Sequence, residues 1–165
     1  MTVRSLRALA ISLGASAAAG VTGGLGSRDA PRVYDQLDKP PWAPPAAVFG
    51  PVWSVLYALM GIAAWRVWRT GRGRVPLALH GTQLGLNATW PAVFFSARAR
   101  RAALAVIAAL DAVLAAEIVT AARRDPLAAA LLVPYLAWSL YATALTAAVR
   151  DPAAAGPAGA RRTPR

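Results

Sequence analysis

The chain has 165 residues, of which 57% are hydrophobic and 15% charged, with no cysteine and a formal net charge of +11. Soluble domains are about 45–50% apolar, so this composition excludes an ordinary soluble domain. Without cysteine, disulfides, thiolate chemistry and cysteine-based metal sites are excluded, and one histidine cannot form a multi-histidine site. The arginines lie between apolar blocks, which is typical of anchoring to lipid headgroups. We therefore predict a lipid bilayer around the chain and no nucleic-acid partner.

Five apolar blocks approach or exceed the roughly 20 residues that a helix needs to cross a bilayer. They predict an all-α membrane protein, a five-transmembrane-helix bundle that forms one domain over 1–150. A long, Pro/Trp-rich first loop follows the first block, and a disordered, arginine-rich tail is predicted over 151–165. The blocks are 6–26, 46–67, 75–95, 102–122 and 127–149.

The first block follows Arg4 and Arg7 and therefore looks like a signal peptide. Its apolar run continues to Gly26, which is long for the hydrophobic core of such a peptide. We interpret it as the first transmembrane helix.

The first loop, 27–45, contains five prolines together with Tyr34 and Trp42. Proline fixes its own φ and biases the preceding residue toward extended geometry, so we expect a stiff segment. Two interpretations stay open. The loop is either a lid over the bundle or an aromatic belt in which Trp42 marks the headgroup level.

The second block carries a stripe of large side chains at spacings of three and four, which is typical of one helix face. Buried tryptophan N–H and tyrosine O–H groups need partners, and in lipid these lie inside the bundle. The stripe is therefore predicted to face inward, as core packing or as the wall of a ligand site. Its members are Phe49, Trp53, Tyr57, Met60 and Ala64.

The third block is predicted to be two-sided. Polar amides in lipid must find hydrogen-bond partners, so the polar face should point into the bundle. The small residues on the opposite face allow a second protomer to pack closely, which predicts a homodimer. The inward set is His80, Gln83, Asn87, Trp90 and Phe94, and the outward set is Gly81, Gly85 and Thr89.

The fourth block carries Asp111 near its middle and Glu117 six positions later. Helical spacing places these carboxylates about 120° apart, which argues against a paired dyad. A carboxylate at mid-span is a functional candidate by default. Asp111 is protonated, paired with an arginine, or shallower than the block boundaries indicate, and the sequence leaves these alternatives open.

The fifth block places Trp138 about one turn inside its helix, on a face with Pro134, Tyr141 and Leu145. We expect Trp138 to meet the aromatic residues of the second block.

Four motifs in this order give the chain a family resemblance: KPPWAPP, VFGPVWSVLYALMG, QLGLNATWPAVFF and PYLAWSLYATAL. The chain resembles the TspO/MBR family, the translocator and tryptophan-rich sensory proteins. The resemblance implies five transmembrane helices, frequent dimerisation, and binding of porphyrins, haem and other flat hydrophobic molecules beneath the first loop. The positions that match the family's pocket are Tyr34, Trp42, Phe49, Trp53, Asn87 and Trp138.

The resemblance implies a multi-pass protein, here of the bacterial cell membrane, that binds tetrapyrroles in porphyrin handling, transport or stress sensing. No cofactor is required and no metal site is assigned. One alternative is an enzyme for light- and oxygen-dependent protoporphyrin breakdown through Trp53 and Trp138. Another is a small proton-coupled exporter that uses Asp111. Porphyrin propionates would meet basic residues at the rim of the pocket. These are Arg28, Arg32 and Lys39.

Overall fold

The computed structural model describes residues 2–150, which contain helices and turns but no β-strand. The predicted tail, 151–165, lies outside the described residues. A 3₁₀ turn over Ala46–Val48 precedes α3, and a π-helical turn over Ala92–Ser96 follows α4. The α-helices are α1 (Val3–Leu25), α2 (Ala30–Gln36), α3 (Phe49–Arg69), α4 (Arg74–Pro91), α5 (Arg100–Ala122) and α6 (Pro126–Ala148).

Four stretches within residues 2–150 are long and apolar enough to cross a membrane: α1, Ala46–Arg69, α5 and α6. The predicted third block is now α4, which does not reach the same mean hydropathy because it carries His80, Gln83 and Asn87. The all-α prediction is confirmed, with four candidate spans. The ends of the other blocks differ from the observed helices by a turn or less, the usual uncertainty at helix ends.

The five long helices form a closed ring in the order α1, α3, α6, α5, α4, and each packs against its two neighbours. The approach of α1 to α3 depends on Gly61, where a Cβ would lie 2.9 Å from the Cα of Leu13. Between helices in lipid, van der Waals packing of this kind replaces the hydrophobic driving force of soluble proteins. The buried core includes Leu56, Met60, Ile107, Leu114, Leu132 and Tyr135.

The first loop folds over one end of the ring, and we call residues 27–45 the cover segment. It contains the seven-residue helix α2, which the prolines of this region did not predict. Pro31 lies in the first turn of α2, where a missing N–H costs no intrahelical bond. A backbone bridge fastens the segment to the end of α6, because Asp38 and Arg150 exchange two N–H···O bonds of 3.0 Å each.

Candidate ligand-binding site

A cavity of about 280 Å³ lies between the helix ring and the cover segment. Its walls come from every helix except α5, and they are largely aromatic. Small-molecule pockets usually measure about 300–1,000 Å³, so this cavity is slightly smaller than that range. The aromatic residues that line it are Tyr34, Phe49, Trp53, Tyr57, Trp90, Phe94, Phe95 and Trp138.

The three aromatic residues of the α3 stripe, Phe49, Trp53 and Tyr57, line this cavity together with Trp138 of α6, whereas Met60 and Ala64 are buried in the core. Phe49 and Trp53 are four residues apart and therefore lie on one face of α3. The ring of Phe49 meets Trp138 edge-on, with centroids 5.8 Å apart. Trp53 stacks on Tyr57 at 5.4 Å. The expected meeting of Trp138 with the aromatics of the second block is thus confirmed.

Tyr57 and Asn87 form the floor of the cavity, and a hydrogen-bonded chain continues from them to the buried Tyr135. The Tyr57 hydroxyl donates to Asn87 Oδ1 at 2.7 Å, and Asn87 Nδ2 donates to the Tyr135 hydroxyl at 2.8 Å. These bonds join α3, α4 and α6. Tyr57 belongs to the predicted inward stripe, but neither it nor Tyr135 was among the six predicted pocket residues. The available signal was a tyrosine deep in an apolar helix, which needs a polar partner inside the bundle.

The cover segment closes the other end of the cavity through Tyr34. Its hydroxyl donates to the Pro44 carbonyl at 2.8 Å, and its ring meets Phe49 edge-on at 5.2 Å. Burial, and then the neighbouring Tyr141 and Asp35, raise the pKa of Tyr34 above its ordinary value. The hydroxyl therefore keeps its proton, and its bond to Pro44, at neutral pH.

Five of the six predicted pocket residues line the cavity. They are Tyr34, Phe49, Trp53, Asn87 and Trp138.

The sixth, Trp42, does not line the cavity. Its side chain is 48% exposed and meets Tyr141 edge-on at 5.6 Å, while the Trp42 carbonyl accepts a hydrogen bond from the Tyr141 hydroxyl. Trp42 therefore holds the cover segment to α6 from the outer side.

The basic residues predicted for the rim do not line the cavity either. Arg28 and Arg32 are exposed. The Lys39 ammonium donates to the backbone carbonyls of Tyr34, Asp35 and Leu37 at 2.7, 3.1 and 3.3 Å. Lys39 therefore stabilises the turn after α2.

The predicted inward polar face of α4 is confirmed, since His80, Gln83 and Asn87 are all buried. His80 does not line the cavity, because it lies about two turns before Asn87, on the far side of the floor. Its Nδ1 atom is 2.8 Å from Glu117 Oε1, and Gln83 Nε2 is 3.3 Å from the same Nδ1 atom. Glu117 is thus paired with histidine and not with Asp111.

Asp111 lies between α5 and α6, away from the cavity. Its Oδ2 atom accepts a hydrogen bond of 2.7 Å from Thr143 Oγ1. No arginine forms an ion pair with Asp111 within residues 2–150. The partner of this mid-span carboxylate is therefore a threonine on the neighbouring helix.

The predicted outward face of α4 is exposed at Gly81, Gly85 and Thr89. A Cβ added at Gly81 or Gly85 would meet nothing within 4 Å. The structure thus leaves this small-residue face open at the surface of the protomer.

A ring of apolar helices with a covered aromatic cavity at one end defines a helical integral membrane protein. Residues 10–150 match the TspO/MBR family, and the chain belongs to that family. It is 44% identical over 117 residues to the translocator protein of Homo sapiens, covering 68% of this chain and 69% of that protein. It is 40% identical over 110 residues to the tryptophan-rich sensory protein of Cereibacter sphaeroides, covering 67% and 70%. The tryptophan-rich protein TspO of Chlorobaculum tepidum matches 145 residues at 34% identity, covering 85% and 92%. The resemblance drawn from the four motifs is confirmed.

Proposed function

We propose that this protein binds a tetrapyrrole, a porphyrin or haem, in the covered cavity and acts in porphyrin handling, transport or stress sensing. The observation that carries the proposal is the pair Trp53 and Trp138, both in the cavity wall, with Phe49 against Trp138. Indole and phenyl rings bind flat aromatic molecules by stacked and edge-on contacts. A tetrapyrrole is a large flat aromatic ring, so both its faces and its edge can make these contacts.

We also propose that the protein lies in a bacterial cell membrane and that α4 is its fifth transmembrane helix. α4 belongs to the same closed ring as the four apolar spans. Its polar residues His80, Gln83 and Asn87 are buried, so lipid would meet the other faces of the helix. Polar side chains that face the bundle interior are compatible with a membrane span even where they lower its mean hydropathy.

A tetrapyrrole is larger than the present cavity, so binding requires the walls to move. The cover segment is joined to α6 and the residues after it by the Tyr141 to Trp42 bond and by the backbone bridge of Asp38 with Arg150. Its movement enlarges the cavity and brings the ligand's propionates toward solvent. A cover segment that is already ordered loses less entropy when it packs against a bound ligand.

Titration of the purified protein with protoporphyrin IX tests this function, with tryptophan fluorescence as the signal. We expect saturable quenching at micromolar ligand, because Trp53 and Trp138 would contact the porphyrin. The double variant Trp53→Phe, Trp138→Phe should bind more weakly and lose part of that quenching, because four tryptophans remain and Trp90 also lines the cavity. Quenching of wild type that rises linearly without saturation would contradict the proposal.

A second candidate function is enzymatic, the light- and oxygen-dependent breakdown of protoporphyrin. Indole is neither a general acid nor a general base, but it can donate an electron to an excited porphyrin. Dioxygen then takes that electron from the reduced porphyrin as superoxide, and the indole radical cation recovers an electron from the porphyrin. Superoxide adds to the oxidised macrocycle, which opens, so the net reaction is addition of dioxygen to the porphyrin. The same pair, Trp53 and Trp138, favours this chemistry. Product spectra after illumination should differ between wild type and the double phenylalanine variant. Equal bleaching by both proteins would remove the support for an enzyme.

We propose further that the protein forms a homodimer through the outward face of α4. The support is the exposed, unobstructed surface at Gly81 and Gly85, which allows two helices to approach closely. Because the chain has no cysteine, single Gly81→Cys and Gly85→Cys variants can be crosslinked cleanly. Both should give crosslinked dimers, whereas Val119→Cys on the exposed face of α5 should not. Dimers through Val119→Cys alone would place the interface elsewhere.

A further inference from the structure

A groove runs along the outer surface between α1 and α3, at the level of the cavity floor. Three of its residues, Gly20, Trp53 and Tyr57, also line the covered cavity. The groove and the cavity therefore share a wall. The residues that line the groove are Leu13, Ala17, Gly20, Val21, Trp53, Ser54, Tyr57 and Ala58.

The shared wall is one aromatic ring thick where Tyr57 meets α1. A Cβ on Gly20 would lie 2.5 Å from Tyr57 Cε2, so the ring rests directly on the backbone of α1. Glycine is required here because any larger residue would displace the ring. The Tyr57 hydroxyl donates to Asn87 Oδ1 at 2.7 Å, and this hydrogen bond holds the ring in the gap together with the stacking on Trp53.

The outer side of the groove faces the surroundings of the protein. Ala17, Ser54 and Ala58 are exposed, and Val21 is 61% exposed. Both helices that form the groove are candidate membrane spans, so the groove opens toward hydrocarbon. At the opposite end, the cover segment lies over the cavity and is fastened to the end of α6 by the backbone bridge of Asp38 with Arg150 and by the Tyr141 to Trp42 bond.

We propose that Tyr57 is a gate, and that the ligand passes between the bilayer and the cavity through the groove between α1 and α3. This inference rests on the proposed function, since it concerns the same cavity. Opening requires the Tyr57 to Asn87 bond to break and the ring to leave Gly20. A flat apolar ligand concentrates in the bilayer, so this path presents it to the cavity without passage through water.

If Tyr57 is a gate, the substitution Tyr57→Phe should change the rates at which the ligand enters and leaves the cavity. The variant keeps the ring, and with it the stacking on Trp53, but loses the hydrogen bond to Asn87. Stopped-flow quenching with protoporphyrin IX, on protein in lipid nanodiscs, should show association and dissociation both accelerated several-fold. The equilibrium Kd should change less than either rate. Unchanged rates in a folded Tyr57→Phe protein would overturn the gate.

Blocking the groove tests the path independently of the gate. Ser54 lines the groove, whereas the next residue, Val55, is 59% exposed but does not line it. Ser54→Cys and Val55→Cys would be labelled in separate proteins with the same long-chain N-alkyl maleimide. We expect slower association and slower dissociation in labelled Ser54→Cys, at similar Kd, and wild-type rates in labelled Val55→Cys.

The outcomes separate this inference from the function on which it rests. Equal rates in the two labelled proteins, with normal saturable binding, would overturn the groove as the path and leave the proposed function intact. Absence of saturable binding in unlabelled wild type would overturn the proposed function and the path together.

Discussion

Asn87 Nδ2 donates a hydrogen bond of 2.8 Å to the hydroxyl of Tyr135, which ties α4 to α6 beneath the cavity. The same amide accepts from Tyr57 through Oδ1, so one side chain connects three helices of the ring. The hydrogen bonds at the floor of the cavity therefore also hold three helices together, and changes to them should affect both the stability of the fold and ligand binding.

Asn87→Leu should destabilise the protein more than Tyr135→Phe. The leucine removes both hydrogen bonds and leaves two tyrosine hydroxyls without a partner, whereas the phenylalanine removes one bond. Interhelical hydrogen bonds in membrane proteins contribute about 0.6 kcal/mol on average and up to about 1.7 kcal/mol. We expect losses of about 1–3 kcal/mol for Asn87→Leu and about 1 kcal/mol for Tyr135→Phe, measured by reversible unfolding in micelles. Equal stability of Asn87→Leu and wild type would show that the hydrogen bonds of Asn87 contribute nothing to the stability of the fold.

The buried pair His80 and Glu117 should show strong coupling in a double-mutant cycle. Removing one partner leaves a buried polar or charged group uncompensated, which costs about 3–5 kcal/mol in proteins. His80→Leu and Glu117→Leu should each destabilise the protein severely, and the double variant should lose much less than their sum. Unfolding free energies of the four proteins test this. Additive losses would mean that the two side chains, 2.8 Å apart, do not depend on each other.

Gly61→Ala should weaken the contact of α1 with α3. Its Cβ would lie 2.9 Å from the backbone of Leu13, so the helices must separate, and overpacking of this kind costs about 1–3 kcal/mol. Gly14→Ala is the matched control, because a Cβ there meets nothing within 4 Å. Alanine is a better helix former than glycine by about 0.5–1 kcal/mol, so this control should be stabilised. Thermal melting of both variants should move in opposite directions.

The Asp125 carboxylate should stabilise the fold in a pH-dependent way. It caps α6 by accepting from the Ala128 N–H at 3.0 Å and pairs with Arg66 at 2.9 Å. Partial burial acts to raise the pKa of Asp125, but the Ala128 N–H and the Arg66 guanidinium together hold this pKa below its ordinary value. A depressed pKa in the folded state means that the stabilisation is present above the unfolded-state pKa of about 3.9 and is lost as pH falls through the folded value.

Asp125→Asn should therefore be less stable than wild type at pH 7, by up to about 1 kcal/mol, as is usual for a solvent-accessible ion pair. The difference should shrink as pH falls below about 4. Thermal melting of both proteins at several pH values measures it, and Arg66→Gln should show the same trend. A difference that persists undiminished to pH 2 would mean that the charge of Asp125 is not its cause.

The inward and outward faces of α4 could be predicted from sequence because lipid penalises any polar side chain that faces it. Spacings of three and four at His80, Gln83 and Asn87 were therefore sufficient to orient the helix. The partner of His80 could not be predicted in the same way. Glu117 is on another helix, and which helices are neighbours depends on the order around the ring, which local periodicity does not encode.

The cover segment was predicted less well than the spans. Its prolines indicated a stiff segment, but α2 was missed because one proline in a first turn is compatible with a helix. Trp42 was assigned to the pocket by its motif, which identifies a segment but not the direction of a side chain. In an irregular segment no periodicity fixes that direction, so the outward position of Trp42 emerged only from the structure.

A bulky side chain inside the covered cavity should block ligand binding if the cavity is the ligand site. Ala142 lines the cavity from α6, whereas Ala144, two residues later, is exposed outside it. Protoporphyrin IX should be titrated into wild type, Ala142→Phe and Ala144→Phe, all with matched thermal stability. We expect wild-type affinity for Ala144→Phe and affinity at least about tenfold weaker for Ala142→Phe, a difference of about 1.4 kcal/mol. Wild-type affinity in a folded Ala142→Phe protein would contradict this expectation.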